Sequence, residues 1–415
     1  MDPWFVGKPF LVNPKIFKIF LFLAIFAYSV AIVSEVSAFA AESNLIEVTP
    51  LGSSTKKAAD LSKRIAGIED RRLFPSRTGY QFFRLVYQTI GPNGGGQTAS
   101  GLVILPSQSL QNRIVVYHHG TSVRKADVPS QPDSNLEATV AGLVFGSMGY
   151  IVFAPDYLGL GESSFPYHPY LNSETEGTAS VDMIRAGLDF LADQGISQNF
   201  EIALTGYSQG GHATLAAQKL IEKEPGRVSA KLDISIPMAG PYDLLGEAFK
   251  LDINRTSKQL SLFTAYVLNA IALQYFNGNI QAIMSTHYAG RIPDLIRAGV
   301  DDERIKSELP ENPLELLSDS VIESFKDTNS EHPLKKILRE NSVYDWTPVT
   351  LTYLVHFTGD QVVRFENSKK ALKQMGNKNV FLIDLGENLD HLTGFFPALT
   401  AAFSLIELQA SPAAK

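Results

Sequence analysis

The sequence predicts an α/β fold in which helices flank a mostly parallel sheet and a helical insertion precedes the last strands. Three observations support this prediction. Short apolar, β-branched runs recur along the chain, helical patterns lie between them, and residues 241–346 look mainly helical without a clear strand. Continuous apolar runs are typical of parallel strands, because helices cover both faces of such a sheet. Regular alternation of strand and helix indicates right-handed crossover connections.

The first elements predicted in the core form a hairpin. Tyr80–Ile90 and residues 99–105 are apolar and β-prone, and the glycine-rich segment 91–96 between them predicts a turn. Residues 41–76 are polar, with a helix-like stretch near 56–68. We expect them to form a lead-in that packs on the domain.

Six further strands and their connecting helices follow the hairpin. The strand patterns lie at 114–117, 150–154, 202–205, 234–238, 351–357 and 380–385. The helical patterns lie at 136–148, 178–194 and 211–223, and residues 399–408 close the chain as a helix against the sheet. Residues 77–240 and 347–415 are therefore predicted to form the two parts of the core.

The insertion 241–346 contains one unusually apolar helical stretch. Residues 260–276 are apolar on most faces, which is unusual for a helix on a solvated surface. Two interpretations remain open. The insertion is either a cap or lid over the C-terminal edge of the sheet, or an ordinary buried helix hairpin with no gating role.

The N-terminal segment has the features of an export signal. Basic residues precede an uncharged, mostly apolar run at 19–33, and an A-x-A cleavage site ends at Ala40. The run is shorter than the roughly 20 residues of a membrane span. Residues 1–40 are therefore predicted to be a signal peptide, and the mature protein to be secreted or periplasmic. An uncleaved signal that anchors the protein to a membrane is the alternative.

Composition and missing motifs exclude several classes of function. The net charge of −7 argues against nucleic acid as the main partner, since phosphate binding needs basic patches. The chain has no cysteine, which excludes disulfides, thiolate metal sites and a cysteine nucleophile. It also lacks H-E-x-x-H, EF-hand and P-loop motifs, so neither a metal nor a cofactor is predicted.

The most informative motif is the G-x-S-x-G sequence that runs from Gly206 through Ser208 to Gly210. It follows a strand pattern and precedes a helix pattern, the context that exposes a nucleophilic serine on a sharp turn. Glycines on either side allow the turn to pack closely while the serine takes a strained backbone conformation. The alternative is a glycine-rich turn in which Ser208 only caps the helix.

A serine hydroxyl needs a base, and the eight histidines allow a choice by elimination. His391 follows the last strand pattern, in a loop that leaves the carboxyl edge of the sheet and can return to the serine. His356 lies inside an apolar strand and is read as a core residue. His212 lies only four residues past Ser208 on the same helix and has no evident orienting acid. We therefore predict that His391 is the general base, the alternative being a surface loop histidine.

The imidazole needs a carboxylate that fixes its tautomer. Asp360 follows the strand pattern 351–357 and gives the chain order Ser, Asp, His. Asp384 and Asp390 are the competing acids, but Asp390 is adjacent to the histidine and would be a strained partner. Asp156 precedes the serine and is expected to bond loop backbone instead.

The tetrahedral intermediate needs backbone donors for its oxyanion. The N–H of Gln209, directly after the nucleophile, is the first candidate. The second should come from the loop after the strand at 114–117, where we favour the N–H of Thr121 and keep Gly120 as second choice. The alternative is that Gly120 only forms a turn.

These residues together resemble the α/β-hydrolases, and within them the secretory lipase family and related bacterial lipases and esterases. The likeness is carried by the loop 118–121, the segment 154–161, residues 168–171, the turn at 206–211, and the two pairs Gly359-Asp360 and Asp390-His391. The resemblance spans roughly residues 75–410. It implies an eight-stranded, mostly parallel sheet and ester hydrolysis without a cofactor.

The sequence therefore predicts a serine hydrolase that cleaves small-molecule or lipid esters with an apolar acyl group. The apolar stretch 260–276 suggests transient contact of the cap with a lipid surface. Two alternatives remain: an exported peptidase or amidase with the same triad, and a catalytically silent binding protein on the same scaffold. Acyl chain length, cap motion and oligomeric state are not determined by the sequence.

Overall fold

A nine-stranded sheet lies at the centre of the described part of the chain. The computed structural model describes residues 43–410, apart from 66–75, 109–110, 134, 197–198, 251, 253, 328 and 377. The strands are β1 (Leu45–Ser54), β2 (Tyr80–Ile90), β3 (Gly96–Pro106), β4 (Arg113–His118), β5 (Ile151–Pro155), β6 (Glu201–Tyr207), β7 (Lys231–Met238), β8 (Leu351–His356) and β9 (Val380–Asp384).

The strand order is β1-β2-β3-β5-β4-β6-β7-β8-β9. The pairs β1/β2, β2/β3 and β3/β5 are antiparallel, whereas all pairs from β5 to β9 are parallel. The predicted hairpin is confirmed, with Ile90 opposite Gly96 at its turn. The prediction of a mostly parallel sheet with flanking helices is confirmed as well.

The expected number of eight strands is wrong, because the polar lead-in contains an additional strand. β1 pairs on one side only, with β2, and its register shifts near Leu45 and again between Pro50 and Gly52. β1 lies at the edge of the sheet, where proline and glycine are tolerated, and most of its side chains are exposed. Its segment therefore lacks the continuous apolar run that marks the central strands.

Helices cover the sheet and form most of the insertion. In chain order they are α1 (Lys56–Ile65), α2 (Leu136–Val144), α3 (Ser173–Asp193), α4 (Gln209–Lys223), α5 (Lys258–Tyr275), α6 (Thr286–Ala289), α7 (Ile292–Arg297), α8 (Asp302–Ser307), α9 (Asp319–Lys326), α10 (Pro333–Glu340), α11 (Glu366–Met375) and α12 (Phe395–Ala410). Short 3-10 turns lie at Gly146–Met148, Ile280–Ala282 and Pro313–Leu316, and a π-helical turn at Leu244–Ala248.

The two faces of the sheet belong to different apolar clusters, which explains the continuous apolar runs. Val115 and Tyr117 of β4 pack with residues of α2 and α12. The alternate residues Ile114 and Val116 pack on the other face, with residues of α3 and α4. Successive side chains of a strand point to opposite faces, so a strand covered on both sides must be apolar at every position.

The insertion supplies most of a further apolar cluster. α5, which includes the apolar stretch, contributes Leu262, Tyr266 and Leu268, and Tyr170 from the core also joins this cluster. From Asn44 onward the described residues form one compact unit. The boundaries 241 and 346 stay a prediction.

The predicted signal peptide, residues 1–40, lies outside the described residues. Within the part that is described, no helix combines the length and the apolar character that crossing a membrane requires.

Candidate active site

The serine of the G-x-S-x-G motif lies on the turn between β6 and α4. β6 ends at Tyr207 and α4 begins at Gln209, and Ser208 between them has φ 58° and ψ −119°. A positive φ is uncommon for a residue with a Cβ atom, and persists where the surroundings impose it. A Cβ atom on Gly206 or Gly210 would overlap the carbonyl oxygen of His118. The flanking glycines therefore let the turn pack against the end of β4.

Ser208, His391 and Asp360 are joined by two short hydrogen bonds. The Nε2 atom of His391 lies 2.8 Å from Ser208 Oγ, and its Nδ1 atom lies 2.6 Å from Asp360 Oδ2. A carboxylate oxygen only accepts, so Nδ1 carries the proton and Nε2 accepts from the serine hydroxyl. The three side chains thus have the polarity that proton transfer from Ser208 to His391 would require.

Two loops at the carboxyl edge of the sheet bring the candidate acid and the candidate base together. Asp360 follows β8, and His391 lies between β9 and α12. The Tyr207 hydroxyl donates to the backbone carbonyl of His391 at 2.6 Å, which joins the loop of His391 to the turn that carries Ser208. Gly359 packs so closely against the carbonyls of the histidine loop that a Cβ atom would overlap them.

The Asp360 carboxylate is buried and fully engaged. Its Oδ1 atom accepts from the N–H groups of Val362 and Val363, each at 2.9 Å. Burial by itself would raise its pKa, but hydrogen bonds from His356 and His391 outweigh burial and lower the pKa of Asp360 to about 2. The acid is therefore ionised throughout the physiological range.

The competing acids are used elsewhere. Asp384 Oδ1 accepts from the N–H groups of Thr358 and Gly386, at 3.2 and 2.9 Å. Asp390 Oδ1 accepts from two backbone N–H groups of its own loop, each at 2.9 Å. Asp156 accepts from Ser100 and from the backbone of Ser130, which matches the structural role expected for it.

The loop after β4 lies beside the turn that carries Ser208, because His118 and Gly206 are register partners. The N–H of Gly120 donates to both carboxylate oxygens of Glu137, at 3.0 and 3.1 Å. Within the described part of the chain, no acceptor takes the N–H of Thr121 or of Gln209. Of the two candidates in this loop, Thr121 is thus the one whose N–H is available.

Glu137 was not found from the sequence. It is the second residue of α2, and its carboxylate also accepts from the Tyr117 hydroxyl at 2.7 Å. Burial raises the pKa of Glu137. This side chain holds the backbone of the loop that carries Thr121, and the only sequence signal for it is an acid in the first turn of an otherwise apolar helix.

A second buried acid, Glu176, holds the side chain of Gln209. The amide nitrogen of Gln209 lies 2.9 Å from Glu176 Oε1 and 2.8 Å from the ring of His168. The expectation that His212 has no orienting acid is wrong, because its Nδ1 lies 2.6 Å from Glu176 Oε2. Its Nε2 faces the Asn341 carbonyl at 2.8 Å, so His212 is turned away from Ser208 and joins α4 to the insertion.

The insertion also contacts the loop of Thr121. The Tyr266 hydroxyl of α5 donates to the carbonyl of Ser122 at 3.1 Å. The Tyr170 hydroxyl lies 2.7 Å from Thr121 Oγ1, and the rings of Tyr170 and Tyr266 stack with centroids 4.6 Å apart. Apolar side chains of the insertion therefore begin directly beside the candidate oxyanion site.

No group of histidine and acidic side chains within the described residues has the arrangement of a metal site.

The sequence model of the secretory lipase family matches residues 138–411, well over half of the chain. The chain belongs to the secretory lipase family. Membership makes the protein a carboxylic ester hydrolase of the lipase and esterase class, and the family's description as secretory agrees with an exported protein. No curated protein sequence matches the chain.

Solved structures share the fold. A protein from Legionella pneumophila is 23% identical with a TM-score of 0.79, over 89% of this chain and 98% of that one. The ligand-bound rice cell wall degrading esterase LipA from Xanthomonas oryzae is 23% identical with a TM-score of 0.77, over 89% and 98%. Closed Candida antarctica lipase A is 16% identical with a TM-score of 0.61, over 88% and 83%. The fold is that of the α/β-hydrolases.

Proposed function

We propose that the protein is an exported serine hydrolase that cleaves carboxylic esters with an apolar acyl group. The observation that carries the proposal is the unbroken line of hydrogen bonds from Ser208 through His391 to Asp360. The positive φ of Ser208 and its place before a helix N-terminus add support, because the helix end favours developing negative charge.

In the first half of the reaction, Ser208 Oγ attacks the ester carbonyl carbon while His391 Nε2 takes the hydroxyl proton. The carbonyl π electrons move onto oxygen, and the N–H groups of Gln209 and Thr121 hold the resulting oxyanion. The tetrahedral intermediate collapses, the C–O bond to the alcohol breaks, and the alcohol leaves with the proton from His391. Asp360 stabilises the imidazolium that exists between these two proton transfers.

In the second half, water replaces the alcohol. His391 takes a proton from water while the water oxygen attacks the acyl carbon. The N–H groups of Gln209 and Thr121 hold the second oxyanion. Collapse breaks the bond to Ser208 Oγ, which recovers the proton, and the carboxylic acid leaves. The cycle consumes only ester and water, so it needs no cofactor.

The apolar character of the insertion 241–346 favours a substrate with an apolar acyl group and contact of the insertion with lipid. Its apolar side chains begin beside the loop of Thr121, as the stacked Tyr170 and Tyr266 show. Leu273 and Tyr275 at the end of α5 are 36% and 41% exposed. We therefore propose that the insertion acts as a cap that touches lipid surfaces transiently. Sedimentation with phosphatidylcholine vesicles tests this, and equal binding by wild type and Leu273→Asp would refute it.

Export is proposed to follow cleavage of the predicted signal peptide after Ala40. The intact mass of the exported protein tests this, because retention of the first 40 residues would mean an uncleaved anchor instead.

Hydrolysis of p-nitrophenyl esters from acetate to palmitate, by wild type and Ser208→Ala, tests the proposed activity. We expect Ser208→Ala to lose activity by several orders of magnitude, as removal of a triad nucleophile does. Ser235→Ala is the matched control, since Ser235 is a buried serine in β7 and should keep wild-type activity. Activity of Ser208→Ala within tenfold of wild type would refute the mechanism. A preference for acetate would leave an esterase rather than a lipase.

A further inference from the structure

The triad acid has a second histidine neighbour that the proposed reaction does not use. His356, the last residue of β8, is completely buried, and its Nε2 atom lies 3.3 Å from Asp360 Oδ2. This is the same oxygen that His391 Nδ1 approaches to 2.6 Å. His356 Nε2 also lies 3.0 Å from the carbonyl oxygen of Val363. One carboxylate oxygen therefore faces two imidazole rings.

The surroundings of His356 determine which nitrogen carries its proton. Both neighbours of Nε2, the Asp360 carboxylate and the Val363 carbonyl, can only accept, so Nε2 is the donor and shares its proton between them. The other nitrogen, Nδ1, lies 2.7 Å from the Ser368 hydroxyl, which can donate to it. A neutral ring with the proton on Nε2 satisfies all three contacts.

We propose that His356 is a positioning residue of the triad, which donates a second hydrogen bond to Asp360 Oδ2 and so limits how strongly Asp360 stabilises the His391 imidazolium. The inference rests on the proposed function, because it assumes that Asp360 and His391 act together on Ser208. His356 touches neither the substrate nor the reacting atoms and acts only through Asp360.

The direction of the effect follows from charge. A donor on Oδ2 draws negative charge from the oxygen that accepts from His391, which weakens the stabilisation of the His391 imidazolium. Loss of that donor leaves more negative charge on Asp360 Oδ2, so the carboxylate stabilises the His391 imidazolium more strongly. Neutral His391 is the active base, so the acid limb of the kcat/KM profile moves to higher pH.

A change at His356 leaves the other charged and titratable groups around Asp360 in place. Arg255, whose guanidinium donates to the carbonyl of Val362 at 2.9 Å, lies on the side of the insertion. Asp390 precedes His391 in its loop, and Tyr207 lies at the end of β6. None of them donates a hydrogen bond to Asp360 Oδ2 in the described part of the chain, so they do not replace His356.

Two substitutions separate the donor from the bulk of the ring. His356→Phe keeps an aromatic ring beside Phe357 and Phe365 but removes the donor. His356→Gln is the matched control, because its amide nitrogen can occupy the place of Nε2 and restore the donor. Both variants are compared with wild type by thermal unfolding and by the pH profile of kcat/KM for a p-nitrophenyl ester.

We expect the acid limb of His356→Phe to move up by about 0.5 to 1 pH unit, because hydrogen bonds to charged groups are stronger than neutral ones. His356→Gln should keep the wild-type limb. A purely structural role would lower the amount of folded protein without moving the limb. An unchanged acid limb in folded His356→Phe would therefore overturn the proposal.

If His356→Phe does not fold, the tautomer of His356 in the wild-type protein tests the proposal instead. Nitrogen-15 NMR of histidine-labelled protein reports the tautomer of each ring, and His356→Gln identifies the signal of His356. The proposal requires a neutral ring protonated at Nε2, and protonation at Nδ1 alone would overturn it. Activity of Ser208→Ala tests the proposed function separately, so an inactive Ser208→Ala with an unchanged limb in His356→Phe refutes only the role of His356.

Discussion

Replacing Asp360 with asparagine tests the polarity of the hydrogen bonds around the triad acid. Both oxygens of Asp360 accept: Oδ1 from two backbone N–H groups, each at 2.9 Å, and Oδ2 from His391 at 2.6 Å. An asparagine has one oxygen and one NH₂ group, so one set of donors must face another donor. Because the backbone donors cannot rotate, we expect the oxygen to stay with them and the NH₂ group to face His391.

The expected loss of kcat follows from the tautomer of His391. An NH₂ group opposite Nδ1 favours an imidazole that accepts at Nδ1 and carries its proton on Nε2, the atom that must accept from Ser208. A serine hydrolase with the wrong tautomer loses about 10⁴-fold in kcat. That factor equals about 5.5 kcal/mol of transition-state stabilisation. Binding of the ester should change little, because Asp360 lies behind His391.

The assay is the steady-state hydrolysis of a p-nitrophenyl ester, with kcat and KM determined separately for folded Asp360→Asn. Asp384→Asn is the matched control, because Asp384 also accepts two backbone N–H groups in the structure but none from a triad residue. We expect it to keep activity within a few fold of wild type. If Asp360→Asn kept more than a tenth of the wild-type kcat, the assigned acid would be wrong.

Three further predictions concern the nucleophile turn, the oxyanion loop and acid stability. Gly210→Ala should abolish ester hydrolysis and lower the melting temperature, because its Cβ would overlap the His118 carbonyl; wild-type activity would contradict this. Glu137→Ala should lower kcat more than it raises KM, since Glu137 holds the loop rather than the substrate, and a pure KM effect would count against it. Burial lowers the pKa of His118, His119 and His168 to about 3, 4 and 3. These histidines therefore bind protons at a lower pH in the folded protein than in the unfolded chain. Each of these histidines should therefore cost about 1.4 kcal/mol of stability per pH unit below the unfolded pKa of about 6.5. Urea unfolding at pH 7 and 5.5 should show a smaller loss for His119→Gln than for wild type, and equal losses would contradict the assignment.

Local patterns in the sequence were enough to find the candidate triad. Ser208 has its own motif, and the order of serine, acid and base along the chain left few choices for Asp360 and His391. Alternating strands and helices place all three at one edge of a parallel sheet, since the carboxyl ends of such strands meet there. The strands of the core were also predictable from local patterns, because a strand that is covered on both faces is a continuous apolar run.

Contacts between distant elements were not predictable. Glu137 and Glu176 reach their partners through the way that helices and loops pack on the sheet, and no spacing along the chain encodes those pairs. His356 lies only four positions before Asp360, but the course of the loop after β8 brings the two side chains together, and the apolar strand pattern gives no sign of that contact. His212 shows the same difficulty, because its acid lies on α3, 36 positions away in sequence. The edge strand β1 was missed because most of its side chains are exposed, so it has no continuous apolar run.

Covalent labelling of the full-length protein with a fluorophosphonate, followed by mass spectrometry of its peptides, tests the central claim most directly. The reagent forms a stable phosphonyl ester with an activated serine. We predict one adduct, on Ser208, that forms as ester hydrolysis is lost and that is absent from Ser208→Ala. An adduct on a different serine, or full activity after complete labelling of Ser208, would contradict the assignment of Ser208 as the nucleophile.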